Sequence, residues 1–488
     1  MRRPASADTD RRNRTGTDAP LRGVPLRAQI EAKVYRLGDK LPSIRKLRRE
    51  RGLSTSTVTQ ALAELERRGV VEARPRSGYF VRPPDTEVSK PGLERYRLRP
   101  RRVPLPHLAD AFVSASADTG MVPLGGAVLS PDLLPLKLLT RAARATASKG
   151  ARAFASYGPP AGAVELRRVL ARRLLGLGMP VSADEIVISA GCMDAIRLAL
   201  LAVTRPSDVV ALESPTFFGF LQIVRDLGLY ALEIPTRPEH GMDLDALERA
   251  MARHRLAAII VTPTFQNPTG ACMPTSARRR LAAIAQRHRA TIVEDDVYGD
   301  LAFSAERPPP VASLGLADVV YCSSLSKTLA PGLRLGWTVP GEYLDRVRRL
   351  KLSGTITSPA LDQLTAVEVL ESGAYDRHLR GLRRALRHQV GAMRRALATH
   401  LPAGTEITDP EGGFLLWVKL PEGSDGHVLH ERAAEHRVSV LPGTLCSVDD
   451  KFRRHLRINA GYPWSETIEA AVRVVGQLAR SASRRSSG

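Results

Sequence analysis

The sequence predicts an α/β protein in two parts, a small basic helical head and a large domain built on a mostly parallel sheet. Three observations predict this. Residues 1–102 hold 26 lysines and arginines against 12 acidic residues, whereas residues 103–488 hold 46 against 38. Helix-spaced apolar residues between Leu41 and Arg68 give way to a short hairpin pattern. From Pro123 to about Ala479, short apolar runs alternate with amphipathic stretches, the pattern of a largely parallel sheet covered by helices on both faces. The boundaries read as a disordered tail over 1–20, a head over 21–83, a linker rich in Pro and Arg over 84–118, a large domain over 119–480 and a frayed end over 481–488.

The chain has 488 residues and a hydrophobic fraction of 43%, ample for packed cores. Its apolar runs fall short of the ~18 residues of a membrane span. The first ten residues are polar, so no secretory signal is expected. Cys192, Cys272, Cys322 and Cys446 lie far apart. Neither a zinc site nor a disulfide framework is expected, and a cytoplasmic location fits. The net charge of +22, concentrated at the N-terminal end, points to a polyanion partner there.

In the head, Pro42 and Ser43 open a helix that turns Ile44 and Leu47 to one side. Gly52-Leu53-Ser54 is a tight turn, with Ser54 or Thr55 as the cap of the next helix. Val58, Leu62 and Leu65 then recur at helical spacing and face inward. This leaves Thr55, Ser56, Thr57 and Gln60 at the front of the helix. Val70–Val81 reads as a hairpin with a basic tip containing Arg74 and Arg76. Helix, turn, helix and wing is a DNA-binding geometry. The expected contacts to double-stranded DNA are phosphates from Arg45, Arg74 and Arg76, and base edges from Ser56, Thr57 and Gln60.

In the large domain, Ser324-Leu325-Ser326-Lys327 followed by Arg334 sets a lysine among small hydroxyls, with an arginine seven residues on. That arrangement suits pyridoxal 5'-phosphate (PLP). The lysine amine condenses with the cofactor aldehyde to an imine, and the hydroxyls and guanidinium meet its phosphate. Gly191-Cys192-Met193 follows a strand and opens a helix, so its backbone N–H groups can meet a phosphate. Phe217 can stack on a flat ring, and Asn267 and Tyr298 can hold a phenolate oxygen. Asp295 can keep a pyridine nitrogen protonated, with Asp296 the other candidate. Most of these follow a strand's C-terminal end, where open α/β sheets bind ligands.

The head resembles the winged helix-turn-helix of GntR-type regulators, on Leu-Pro-Ser-x-Arg, Ser-x-x-Thr-Val, Leu-Glu-x-x-Gly and Ser-Gly-x-x-Val. Residues 123–478 resemble fold-type I aminotransferases, and the two together resemble the MocR subfamily. The resemblance implies that Lys327 carries the imine and that Asp295 pairs with the pyridine nitrogen. Asn267 and Tyr298 then bind the phenolate oxygen, Phe217 stacks on the ring, and Ser324, Ser326, Arg334 and Gly191-Cys192-Met193 bind phosphate. It also implies that Tyr157 reaches across from a partner subunit of a homodimer, and that Arg457 grips the carboxylate of a substrate or effector. The implied function is a regulator that senses PLP or an amino compound bound as an external aldimine; the alternative is a working aminotransferase with a fused DNA module. Three departures stand out. Many relatives carry arginine where Thr55 stands, and Ser, Thr or Ala followed by Gln where Cys192 and Met193 stand, and methionine has no donor to offer a phosphate. Gly23 and Pro25 also interrupt the expected start of the first helix.

Overall fold

The computed structural model describes residues 26–31, 34–35, 38–67, 70–74, 77–81, 89–92, 98–104, 120–149, 155–304, 306–449 and 451–485. The expected tail over 1–20, Gly23, Pro25, Pro75, Arg76 and all of 105–118 lie outside them. The chain divides into two compact units, residues 1–87 and 88–488.

Among its described residues the first unit has three helices, α1 (Leu26–Glu31), α2 (Ile44–Arg51) and α3 (Thr55–Arg67), and a hairpin of β1 (Val71–Arg74) and β2 (Gly78–Val81). Ser43 caps α2 by accepting from the Lys46 N–H, and Gly52 closes it in the left-handed region at φ 64°. Ser54, not Thr55, caps α3, accepting from the Thr57 N–H at 3.1 Å. Leu41, Leu47, Val58, Leu62, Leu65, Val71 and Val81 are buried together, so the inward face expected of α3 forms the core. The sequence pattern did not reveal that residues 38–41 lie along β2. Lys40 bridges to Phe80, and the Leu41 N–H donates to the Tyr79 carbonyl.

The second unit is built on an eight-stranded sheet in the order β4-β11-β10-β9-β8-β5-β6-β7. These strands are β4 (Val187–Ser189), β5 (Val209–Ser214), β6 (Tyr230–Arg237), β7 (Gly241–Met242), β8 (Ala258–Val261), β9 (Thr291–Asp295), β10 (Val319–Ser324) and β11 (Gly336–Val339). The core strands run parallel; β11 is antiparallel to both neighbours, which makes the sheet mixed. The central strands are buried along their length, as expected of continuous Val/Ile/Leu runs covered on both faces. A second sheet, which the sequence reading did not separate, has the order β12-β13-β16-β15. It comprises β12 (Glu406–Ile407), β13 (Leu415–Lys419), β15 (Leu441–Pro442) and β16 (His455–Asn459), and β14 (Val438–Ser439) pairs with β3 (Val122–Pro123).

Two boundaries differ from expectation. The described parts of the expected linker, 89–92 and 98–104, belong to the large unit. Arg101 pairs with Ala231 through both backbone groups, and Leu98 and Val103 lie against the cores. Two apolar anchors among Pro and Arg are too few to register as a pattern, yet they bury. At the other end the last helix, Glu466–Arg485, runs past residue 480, with the Ser481 hydroxyl donating back to Leu478.

Candidate functional site

The site lies where β9 and β10 end and the helix Cys192–Val203 begins. Gly191, at φ 94°, turns the chain from β4 into that helix, and it brings no side-chain acceptor to the first-turn N–H groups. Arg334 stands beside this turn, its guanidinium donating to the Ala190 carbonyl at 2.8 Å. A Cβ on Gly191 would come within 2.6 Å of Arg334, and one on Gly336 would meet Gly191's own carbonyl carbon at 2.4 Å. The two glycines and the arginine form a close-fitting cradle of donors at a helix N-terminus, suited to a phosphate. Ser324 and Ser326 border it, with the Ser324 hydroxyl accepting from the Ser326 N–H at 3.3 Å.

Lys327 reaches in from the following turn, its Nζ donating to the Ala127 carbonyl at 2.6 Å. Burial, and then the Arg457 charge, pull the amine down to about 8, so a nucleophilic neutral fraction exists near neutral pH. Asp295, at the end of β9, is 6% exposed. Its carboxylate accepts from the Cys192 thiol at 3.2 Å and the Val297 N–H at 3.1 Å, and burial pushes it up to about 6. Among the described residues, Asp295 therefore holds neutral donors but no paired cation. Asp296 is committed elsewhere: both its oxygens accept from Arg307, at 2.6 and 2.7 Å, and Tyr321 donates to it at 2.7 Å. The two aspartates, neighbours at a strand end, face opposite ways and hold different partners.

Asn267 links two more of the expected groups. Its Nδ2 stands 3.5 Å from the Tyr298 hydroxyl, and its Oδ1 accepts from Arg457 at 2.9 Å. Arg457, on β16, is 1% exposed and also donates to the Gly125 carbonyl at 2.6 Å. Its Nε has no partner. These bonds go to neutral oxygens. Phe217 is half-buried beside Met193, since a Cβ on Gly219 would touch both side chains. Tyr157 is 82% exposed.

Sequence reasoning missed three features of this site. The 125–127 backbone supplies acceptors to both Arg457 and Lys327, and the only signal for it was the Gly125-Gly126 pair. The Cys192 side chain, read as a departure in a backbone turn, holds the Asp295 carboxylate. Glu213, buried at the end of β5, has an unpartnered oxygen, and burial pushes it up to about 8.

On the head, Arg45, Thr55, Ser56 and Gln60 are exposed and Thr57 is half-buried. The expected base-reading hydroxyls are partly engaged, because Ser54 lies 2.7 Å from Ser56 and 2.8 Å from Thr57, oxygen to oxygen. Arg74 ends β1 and Arg76 lies outside the described residues.

Residues 129–475 match the family described as aminotransferase class I and II, and residues 25–81 match bacterial regulatory proteins of the gntR family. The chain belongs to the class I and II aminotransferase family and carries a gntR-type helix-turn-helix at its N-terminal end. It is 37% identical to an uncharacterized HTH-type transcriptional regulator, YjiR, of Escherichia coli, over 93% of this chain and 96% of that one. It is 31% identical to a 2-aminoadipate transaminase of Thermus thermophilus, over 73% of this chain and 90% of that one. Among solved structures it resembles alpha-aminoadipate aminotransferase LysN of Thermus thermophilus, complexed with N-(5'-phosphopyridoxyl)-L-leucine. The TM-score is 0.71 at 30% identity, over 78% of this chain and 99% of that chain. No helix among the described residues is long and apolar enough to cross a membrane.

Proposed function

We propose that this protein is a cytoplasmic, homodimeric transcription regulator that binds PLP in its aminotransferase-type domain and duplex DNA through its head. The observation that carries the reading is the placement of Lys327 near Asp295. A lysine held down to about 8 faces a buried carboxylate with no cation of its own, beside a cradle of N–H groups and Arg334.

The residues fit PLP at each end. Asp295 lacks a positive partner, and a protonated pyridine nitrogen would supply one. Gly191, Cys192, Met193, Ser324, Ser326 and Arg334 would hold the phosphate, with Met193 limited to its backbone. Asn267 and Tyr298 would hold the phenolate oxygen, and Phe217 would cover the ring. When bound, PLP supplies an aldehyde that reacts with amines and a ring that takes up electron density. The protein's own share is electrostatic. Asp295 would keep a proton on the ring nitrogen, and the Cys192 thiol fixes that carboxylate's orientation. The buried Arg457, bonded to neutral oxygens, is free to take a carboxylate from an amino compound. Tyr157, exposed on a single chain, would complete the neighbouring subunit's site.

Relatives that match 93–94% of the chain are named as regulators, which favours regulation over turnover. One observation favours a second reading, an active aminotransferase: Lys327, Asp295, Asn267, Tyr298 and Arg457 stand together, and the large domain is similar to a transaminase.

The first test is optical. The purified protein should be yellow, and Lys327→Ala should lose the visible band while keeping its far-UV circular dichroism. A protein that stays colourless when PLP is added would overturn the cofactor half of the proposal.

A further inference from the structure

A cavity of about 690 Å³ opens on the other side of the sheet from Lys327 and Asp295. Strand alternation separates the two. Along β10, Val320 and Cys322 join the core that holds Cys192 and Tyr298, while Tyr321 and Ser323 line the cavity. Its size is that of a small-molecule site. Leu170, Leu174 and Trp337 give it an apolar floor.

Its polar groups define what would fit. In the wall, Asp296, Arg307, Asp300 and Tyr321 satisfy one another and offer a ligand nothing. Trp337 differs: it is 9% exposed, and its indole N–H has no acceptor among the described residues. A buried donor left unpaired is costly and rare, and a ligand acceptor would relieve it. At the mouth, Arg172 pairs with Glu371 at 2.5 Å, with both side chains more than half exposed. Such a pair contributes little and exchanges readily for another carboxylate. Arg173 sits beside it, over the Tyr375 ring at 4.7 Å and paired with the half-exposed Asp376 at 3.2 Å, a pair that exchanges as readily.

We infer that this cavity is a second ligand site, for a small aryl carboxylate with a hydroxyl or keto oxygen at its far end. The carboxylate meets Arg172 and Arg173, the ring lies on Leu170 and Leu174, and the far oxygen accepts from Trp337. The cavity also shares a wall with the Lys327 turn. Ser324, Leu325 and Thr328 line it, the Tyr375 hydroxyl donates to the Thr328 hydroxyl at 2.8 Å, and the Thr328 carbonyl bonds His378 at 2.9 Å. An occupant therefore presses on the segment that aims Lys327. This coupling rests on the cofactor reading above; the binding itself does not.

The test is calorimetric titration of the full-length protein with 4-hydroxyphenylacetate and with phenylacetate. The hydroxylated probe should bind roughly tenfold more tightly, as expected for one hydrogen bond to a buried donor. Trp337→Phe should erase that difference, and Leu170→Trp, which fills the cavity, should abolish binding of both. Arg457→Ala should leave binding unchanged, which separates this cavity from the carboxylate site next to Lys327. If Leu170→Trp fails to fold, Trp337→Phe and Arg172→Ala decide the matter. No binding to the wild-type protein, or binding lost in Arg457→Ala and kept in Trp337→Phe, would overturn the inference. With PLP bound, saturating probe should shift PLP affinity about fivefold or more, and PLP should shift the probe equally. A protein that binds probe but no PLP would sink the cofactor reading and leave the cavity site standing.

Discussion

The head and the large domain solve opposite problems. The head's proposed DNA-contacting surface is exposed and loosely tied; Arg45, Ser56 and Gln60 face water, and the hydroxyls around Ser54 bond chiefly to one another. The site around Lys327 is buried and cross-linked, with Asn267, Arg457, Asp295 and Cys192 each fixed by a partner on another element. The difference teaches where a residue's identity matters. In the head, few side chains are constrained by the fold, so specificity for a partner can change without cost to stability. In the large domain the groups proposed to carry the chemistry also tie the fold together.

Four perturbations break or sharpen that contrast. The largest effect is expected in the small core. Leu62→Ala removes a fully buried side chain from the head and should cost about 2–5 kcal/mol. DNA binding should disappear while the visible absorbance of the large domain remains. Loss of both would mean that the units do not stand as separately as their compactness implies.

Gly191→Ala strikes the other side. Its φ of 94° and the nearby Arg334 leave no room for a methyl group, so PLP affinity should fall by about 1–3 kcal/mol, read by equilibrium titration of the visible band. Unchanged affinity would remove this turn from the phosphate site.

Glu213 offers a pH signature. Burial raises it from the ordinary 4.5 to about 8, so between those values the folded state keeps a proton that the unfolded chain releases. Its contribution to stability therefore falls as pH rises from 4.5 to 8 and is flat above. Glu213→Gln should flatten that part of the profile, measured as the difference in denaturant midpoint between variant and wild type at pH 5 and pH 8 (roughly the two ends of that window). An identical slope in both proteins would show that the Glu213 proton leaves earlier.

The smallest effect concerns Arg45, an exposed residue on α2. Arg45→Ala should weaken binding to all DNA sequences alike and reduce the salt slope by about one unit, without changing stability. A sequence-selective loss would make it a base contact instead.

Much of this was legible in the sequence because it rests on local rules. Ser43, Gly52 and Ser54 announce the turns of the head, and the spacing of Val58, Leu62 and Leu65 announces its core. The buried strands before Gly191 and Asp295 read as continuous apolar runs, which put both residues at strand ends. What stayed hidden depends on contacts distant in the chain. That Asp295 receives the Cys192 thiol while Asp296 pairs with Arg307 follows from side-chain partners 103 and 11 residues away. The antiparallel insertion of β11, the second sheet that carries Arg457 and the docking of Leu98 and Val103 are likewise set by tertiary packing. The cavity behind the Lys327 turn has no signature in the sequence, since its floor residues look like any helix face.

The central claim is that the state of the PLP site alters DNA binding. The direct measurement is the affinity of the full-length protein for a duplex enriched from random DNA. It should be made with apo protein, with PLP, and with PLP plus a panel of amino acids, at one fixed salt concentration. The account predicts that at least one of these states shifts affinity by about 5–150-fold, the range of ordinary allosteric coupling, and that Arg457→Ala removes the response to carboxylate-bearing amines alone. Equal affinity in every state, with steady conversion of an amino acid to its keto acid, would contradict it and leave an aminotransferase that carries a DNA-binding head.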